Sequence, residues 1–388
     1  MVYGGYELLC HDVACELATR GHDVHVLTSE HEGATPPGPP VHRRLVVATP
    51  FPVPGAKFEL PDYRLRTMHR IACQNHLVMQ DFLAQHETDV VFAWNLMRTG
   101  LGPIFAAVRA RKPVCWTLND SHPLFFHPRA RNVRDHARNL TARAFYPMTR
   151  VAPVLDAVRL VSISHALCQQ LGDGGFPIDR CKVIHQGISL ERFEYEPCTR
   201  SAEPLRLLYA GRLTEEKGVH TLLESLIHLS GRGLDDWTLT VAGAGQAAYE
   251  QRLREIVARG DACARVTFIG QQPRVKMPRL YHAHHVLVFP SVYAEPFGLS
   301  HLEAMACGCA VVSTLTGGSA ELVRDGVNAL AFRADDALDL ARCLQVLLEG
   351  EEMRRALAGE ARQFVEREHD FRRYVTDLEA FLEEATCS

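Results

Sequence analysis

Short apolar runs that alternate with amphipathic helical stretches predict an α/β protein made of two Rossmann-like domains. Three observations carry that class. The alternation runs along nearly the whole chain; its apolar runs end in polar or small residues, as strands of parallel sheets do at their carboxyl edge; and 388 residues are too many for one ordinary core but suit two domains of this size. No apolar run approaches about 20 residues and no charged, apolar, small-residue leader opens the chain, so neither a membrane span nor secretion is expected. The expected address is the cytoplasm.

The opening is a glycine turn at Gly4 and Gly5 leading into a helix, Leu8 to Arg20, and then a strand closing at Thr28. In an α/β domain the first helix packs onto a strand that precedes it, and Met1-Val2-Tyr3 is too short to make one. The first strand is therefore expected to be missing, with the start codon upstream or another segment filling the slot. Residues 30–60 are rich in Pro and Gly and hold one short strand, Arg43 to Ala48, which reads as a surface excursion. A helix from Tyr63 to Gln85 leads to the strand Asp89 to Asn95, and a further helix leads to the strand that starts at Pro113 and ends in Asn119-Asp120-Ser121-His122. Asn95, Asn119, Asp120 and His122 thus fall at the ligand-binding edge of the sheet.

Charge is nearly balanced in both halves, with 21 basic against 19 acidic residues in 1–196 and 21 against 27 in 197–388. Nucleic-acid binding is not suggested. The visible basic stretch is Arg129 to Arg150, where Arg129, Arg131, Arg134, Arg138, Arg143 and Arg150 face only Asp135. It offers contact to a phospholipid surface, peripherally at the inner membrane face, or to an anionic acceptor; a solvated helical face is the more ordinary explanation. The 12 cysteines lack a paired C-x-x-C pattern, and Cys307 and Cys309 read as small packed thiols, so neither a disulfide nor a metal is assigned. A strand from Arg159 to Ser164 and the run Lys182 to Ser189 complete the first domain, and Glu194 to Pro204 reads as a linker. The domains are placed at 1–197 and 198–369, with a last helix at 370–388.

The second domain begins with the strand Leu205 to Ala210 and the loop Gly211 to Gly218, which feeds a helix. Arg212 and Lys217, on a glycine-bounded loop at a helix start, are placed to meet a diphosphate. After the strand Trp237 to Ala242, Gly243-Ala244-Gly245-Gln246-Ala247-Ala248 invites a dinucleotide reading. The next strand ends in Gly270-Gln271-Gln272 instead of the acidic ribose ligand, and that reading fails. His282, His284 and His285 lack acidic neighbours in sequence and read as packed or solvated. The strand His285 to Ser291, a helix with Glu295 and Glu303 near its two ends, and the strand Cys309 to Thr314 form the next unit. Gly298 lets another group approach the helix start closely. Gly317 and Gly318 make a second flexible loop, Ser319 is placed to cap a helix from Ala320, and three amphipathic helices follow.

The E-x7-E spacing, the run from Glu295 to Thr314 and the Gly317-Gly318-Ser319-Ala320-Glu321 that follows resemble the donor site of the retaining glycosyltransferases of family four, which have the GT-B fold of two Rossmann-like domains facing each other across a cleft. The resemblance implies a nucleotide-sugar donor held between the domains, an unidentified acceptor, no metal and no cofactor. It implies that Glu295 meets the transferred sugar, that Glu303 meets the nucleotide ribose, and that Arg212 and Lys217 hold the diphosphate. It also places Gly4, Gly5, Gly243, Gly270, Gln272, Phe297, Gly298 and Leu299 on the donor, Asn119 and Asp120 with the catalytic groups, Asn95 and His122 on the acceptor side, and a last helix crossing back to the first domain. Two departures weaken it: Asn119-Asp120 stands where the family has His-Asp, and Gln186 and Ser189 interrupt its Pro-Asn-Gly-Val-Asp. Asn119 cannot carry a proton, which leaves room for a sugar-nucleotide epimerase or a catalytically silent nucleotide-sugar-binding protein.

Overall fold

The computed structural model describes residues 5–29, 37–47, 64–130, 132–196, 204–259 and 264–387. It divides into two compact units, residues 1–184 with 375–388, and residues 185–374.

The first unit runs α1 (Gly5–Thr19), β1 (Val26–Ser29), β2 (Val41–Leu45), α2 (Leu65–Gln85), β3 (Val91–Ala93), α3 (Gly102–Arg109), β4 (Val114–Leu118), α4 (Pro123–Phe126), α5 (Val133–Phe145), β5 (Val158–Ser162), α6 (His165–Asp173) and β6 (Lys182–Val183). All its pairings are parallel, but the strands form two sheets, β3-β4-β5-β6 and a separate β1-β2. Helix α1 buries Leu9, Val13, Ala14 and Leu17, one apolar stripe at helical spacing. Asn132 caps α5 by accepting from the Asp135 N–H, and Ser164 caps α6 through Leu167.

The second unit runs β7 (Leu205–Ala210), α7 (Val219–Ser230), β8 (Trp237–Ala242), α8 (Ala247–Arg259), β9 (Val266–Phe268), α9 (Met277–His282), β10 (Val286–Phe289), α10 (Leu299–Cys307), β11 (Ala310–Thr314), α11 (Ser319–Leu322), β12 (Leu330–Phe332), α12 (Ala337–Glu349) and α13 (Glu351–Glu368). Among the described residues its strands make one parallel sheet in the order β12-β11-β10-β7-β8-β9. Every residue of β10 and β11 is buried, as expected of central strands covered on both faces. The order reverses between β7 and β10, and the loops leaving those two strands are where a doubly wound sheet binds its ligand.

The chain ends in α14 (Phe371–Thr386), whose residues from Val375 belong to the first unit. There Glu379 accepts from Arg20 at 2.7 Å and lies 2.6 Å from His22, while Glu384 pairs with Arg159 at 3.0 Å.

The expected linker Glu194 to Pro204 is shorter at its front than the sequence suggested, because residues 185–196 pack on the second unit. Phe193 is fully buried, Ile188 pairs with Asp370, and the Glu196 N–H reaches the Cys307 carbonyl. Cys307 and Cys309 are buried thiols, and Cys309 donates to the Tyr281 carbonyl at 3.2 Å.

Candidate active site

Two loops at the strand-order reversal build the site of the second unit. The loop after β7 holds a 3-10 turn, Glu215–Lys217, that ends at Gly218 in the left-handed region at φ +64°. A Cβ at Gly218 would stand 2.0 Å from the Pro290 carbonyl oxygen, so only glycine lets this turn abut the loop after β10. The Glu216 carbonyl then accepts from the N–H groups of Val292 (2.9 Å) and Tyr293 (3.2 Å), stitching the loops together. Behind them the buried Tyr209 hydroxyl donates to the Arg212 carbonyl at 2.6 Å.

This stitching brings Lys217 and Glu295 into contact. Lys217 Nζ donates to Glu295 Oε1 at 2.5 Å, and the Ser291 hydroxyl lies 2.5 Å from the same oxygen. Both charged side chains are mostly covered, at 13% and 9% exposure, so their attraction is little screened by water. Arg212, by contrast, is exposed, and among the described residues its guanidinium pairs with Glu216, at 3.4 Å, whereas Lys217 is covered and held by Glu295.

Glu295 is not on a helix with Glu303, contrary to the sequence reading. Pro296 disfavours helical backbone before it, Gly298 takes φ +127°, and α10 starts only at Leu299. Glu295 instead pairs through its backbone with Gly317, and its carbonyl accepts from the Gly318 N–H at 2.7 Å. Glu303 sits in the middle of α10, where the Tyr281 hydroxyl donates to it at 2.9 Å and Arg274 lies 4.0 Å away. Burial raises its pKa, and the Arg274 charge and the Tyr281 hydrogen bond pull it back.

The remaining residues around these loops take several roles. Phe297 is buried and stacks on His185, whose Nε2 is 2.8 Å from Glu321. His301, fully buried on α10, donates from Nε2 to Ser313 Oγ at 2.7 Å, since the Ser313 proton goes to the Thr314 carbonyl. Burial lowers the His301 pKa to about 4, assisted by the nearby Lys217 charge. A Cβ at Gly243 would stand 1.9 Å from the Gly211 carbonyl oxygen, so that glycine allows the loops after β7 and β8 to touch. Gly270 turns at φ +68°, and Gln272 closes the same turn on the Ile269 carbonyl at 2.7 Å.

Ser319 does not cap α11: Gly318 holds the cap position, without a side-chain cap bond, and Ser319 is already helical. His284 bonds Leu280 and Thr240, and His285 accepts from the Arg206 N–H, as packed histidines would. His282 does have an acidic neighbour, Glu196 at 3.7 Å, which the sequence spacing hid.

In the first unit the candidate residues bond mostly to backbone. Asn119, at the carboxyl end of β4, is buried and donates to the Trp94 carbonyl at 2.8 Å. Asp120 accepts from the His122 N–H at 2.8 Å, and burial raises its pKa. Asn95 is exposed and accepts from the Met97 N–H at 2.9 Å. His122 is buried against Phe125 and Phe126, which lowers its pKa to about 4 and keeps it neutral near pH 7. Gly4 lies outside the described residues, and Gly5 is the first residue of α1.

The basic stretch is corrected at its end. Arg150 is buried and donates to the Thr149 carbonyl and to Asn139, so it cannot serve an outer surface. Arg129 and Arg134 are exposed.

Ser291, Arg274 and Tyr281 were missed from sequence. Ser291 carried the same signal as Asn119, a polar residue at a strand's carboxyl end, whereas Arg274 and Tyr281 carried none.

The sequence matches two family models along most of its length, Glycosyltransferase Family 4 over residues 3–192 and Glycosyl transferases group 1 over residues 195–364. The chain belongs to the family-four glycosyltransferases. Its fold is GT-B. This glycosyltransferase-family chain is 33% identical over 195 residues to a glycogen synthase of Mycobacterium tuberculosis, covering 50% of this chain and 46% of that protein. It is 30% identical over 227 residues to a putative colanic acid biosynthesis glycosyltransferase of Escherichia coli, covering 57% and 54%. It thus spans about half the length of the curated relatives it matches. Among solved structures it is similar to Anabaena HepE in complex with UDP-glucose, with TM-score 0.73 and 21% identity over 99% of this chain and 97% of that one. Among the described residues no helix is long and apolar enough to cross a membrane.

Proposed function

We propose that this chain transfers a sugar from a nucleotide-sugar to an acceptor hydroxyl with retention of anomeric configuration. The observation that carries the reading is the contact of Lys217 with Glu295, which joins a phosphate-type loop to a hydroxyl-gripping carboxylate where the strand order reverses. Without ligand the two charges satisfy each other. A bound donor offers each a better partner, its diphosphate for Lys217 and its sugar hydroxyls for Glu295. Ser291 keeps the carboxylate in place during the exchange. Lys217 and the exposed Arg212 then stabilise negative charge as it builds on the departing diphosphate, which requires no divalent ion. Glu303, steadied by Tyr281 and Arg274, grips the ribose diol. The acceptor proton passes to the leaving phosphate oxygen on the same face. Asn119 and Asp120 serve by hydrogen bonding.

The acceptor side includes contact with an anionic membrane surface. Val133 and Leu140, seven residues apart on one side of α5, are 86% and 61% exposed, next to exposed Arg134.

The test is nucleotide release from UDP-, GDP-, dTDP- and ADP-sugars, with and without cell extract as acceptor source. UDP-glucose comes first, because the similar Anabaena protein binds it. Acceptor-dependent release that persists in EDTA, with retained configuration in the product, is expected. Epimerisation without release would overturn the transfer reading, and a strict requirement for a divalent ion would overturn the metal-free step.

A further inference from the structure

Three histidines converge in the first unit. His25 immediately precedes β1, His42 lies on β2, and His86 is the C-cap of α2. Their ring centroids are 5.2 Å (His25 and His42), 4.5 Å (His25 and His86) and 5.1 Å (His42 and His86) apart. One nitrogen from each lies within 4.8 Å of the others. Phe82 forms an aromatic wall, with its ring 4.3 Å from His86 and 5.0 Å from His42.

A nearby carboxylate favours one tautomer of His25. Its Nε2 is 3.3 Å from Asp23 Oδ1, and a carboxylate oxygen only accepts, so the tautomer with the hydrogen on Nε2 is the one that this contact favours. The other nitrogen, Nδ1, then holds a lone pair, and it stands 3.0 Å from His42 Nε2. A carboxylate that fixes one nitrogen of an imidazole while the other faces further imidazoles is the outer-shell arrangement of metal-ligating histidines. Packing alone calls for no such orientation.

We propose that His25, His42 and His86 bind one late first-row divalent cation, for which zinc is the best fit, with Asp23 orienting His25. The metal takes the place of the proton that His42 Nε2 shares with His25 Nδ1, and that proton leaves to solvent. Nitrogens bound tetrahedrally at 2.0–2.1 Å stand about 3.3 Å apart, so the 3.0 Å pair needs little movement. A water completes the fourth position. Three imidazole donors suit zinc better than calcium or magnesium, which take oxygen ligands. The site is structural: β1-β2 is a two-stranded sheet, marginal by itself, and the metal ties both of its strands to α2.

The test uses tag-free, chelator-stripped full chain. Zinc is titrated by calorimetry, cobalt(II) is followed by its visible absorption, and melting is recorded with and without zinc. The expected results are one equivalent of zinc bound, an intense tetrahedral cobalt band and a higher melting temperature with zinc. His42→Gln and His86→Gln should each weaken binding at least about tenfold. His22→Gln, in the exposed group with Glu379 and Glu383, should leave it unchanged. No cobalt band together with no one-to-one zinc isotherm in the wild-type chain would overturn the proposal, whether or not a variant folds. So would equal affinity in the wild type and both glutamine variants at positions 42 and 86.

Discussion

Among the described residues the second unit keeps six strands in one hydrogen-bonded sheet, whereas the first divides six between a four-stranded and a two-stranded sheet. Their candidate residues differ in the same sense. In the second unit Lys217 pairs with Glu295 and Arg274 with Glu303 as opposite charges. In the first, Asp120 and Asn95 accept from backbone N–H groups two residues on and shape their own turns, while Asn119 donates across to the Trp94 carbonyl beyond β3. A continuous sheet fixes the loops at its strand-order reversal tightly enough to hold opposite charges in contact, and a charge held ready is what the proposed donor chemistry demands.

The sharpest way to break this comparison is at the junction of the two loops. In Gly218→Ala the new Cβ meets a backbone oxygen that cannot swing aside, in a backbone region that also disfavours alanine. A loss of about 3 kcal/mol in urea unfolding is expected, with activity falling further than in any single charge deletion. A change within about 0.5 kcal/mol would mean that the loops do not abut.

Almost as large is the pH dependence that His301 imposes on the second unit. Its folded pKa of about 4 lies below the ordinary histidine value of 6.5, so as pH falls from 6.5 toward 4 the unfolded chain binds a proton that the folded chain refuses. The neutral-histidine contribution is complete above 6.5 and is lost on acidification across that window, up to about 3 kcal/mol. His122 and His369, also lowered to about 4, act in the same direction. His301→Gln, which retains an N–H for Ser313, should flatten the stability profile between pH 7 and 4.5, and an unchanged slope would remove His301 as its source.

Lys217→Ala should reduce kcat/KM about ten- to a hundredfold, because a charge-assisted hydrogen bond contributes about 1.5–3 kcal/mol. Glu303→Ala should act mainly on KM for the donor and Glu295→Gln mainly on kcat, since a ribose contact is made equally in ground and transition states while a contact at the reacting sugar is not. The reverse pattern would exchange the two glutamates.

Much of this architecture was legible in the sequence where the signal is local. The strands Leu205–Ala210 and Trp237–Ala242 were read at their true ends, because each is a largely apolar run that stops at a glycine. The path between Glu295 and Gly298 was misread: Pro296 and Gly298 were local signals against a helix there, and the contacts of Glu295 with Gly317 and Gly318 hold the chain in a loop. Tyr281 and Arg274 depend on side chains meeting Glu303 across separate elements, which spacing along one chain does not encode. The same holds for the histidines at 25, 42 and 86, which are scattered in sequence and gathered only by the pairing of β1 with β2 and the end of α2.

The smallest expected effect tests how the first unit holds the end of the chain. Glu379 on α14 pairs with Arg20 and His22 beside α1, and those hydrogen bonds, His22 first, hold its carboxyl below the usual glutamate range. All three side chains are partly exposed, so water and salt screen the attraction, and ordering the side chains offsets part of the rest. Glu379→Gln should therefore cost less than about 1 kcal/mol at neutral pH, and less still at high salt. Its pKa is depressed on folding, so the contribution is present above the unfolded glutamate value and fades as pH falls through the folded one. The variant and wild type should converge at low pH. A loss well above 1 kcal/mol that persists in high salt would show that α14 is bound to the first unit through these charges and not through buried Leu378, Phe381 and Leu382.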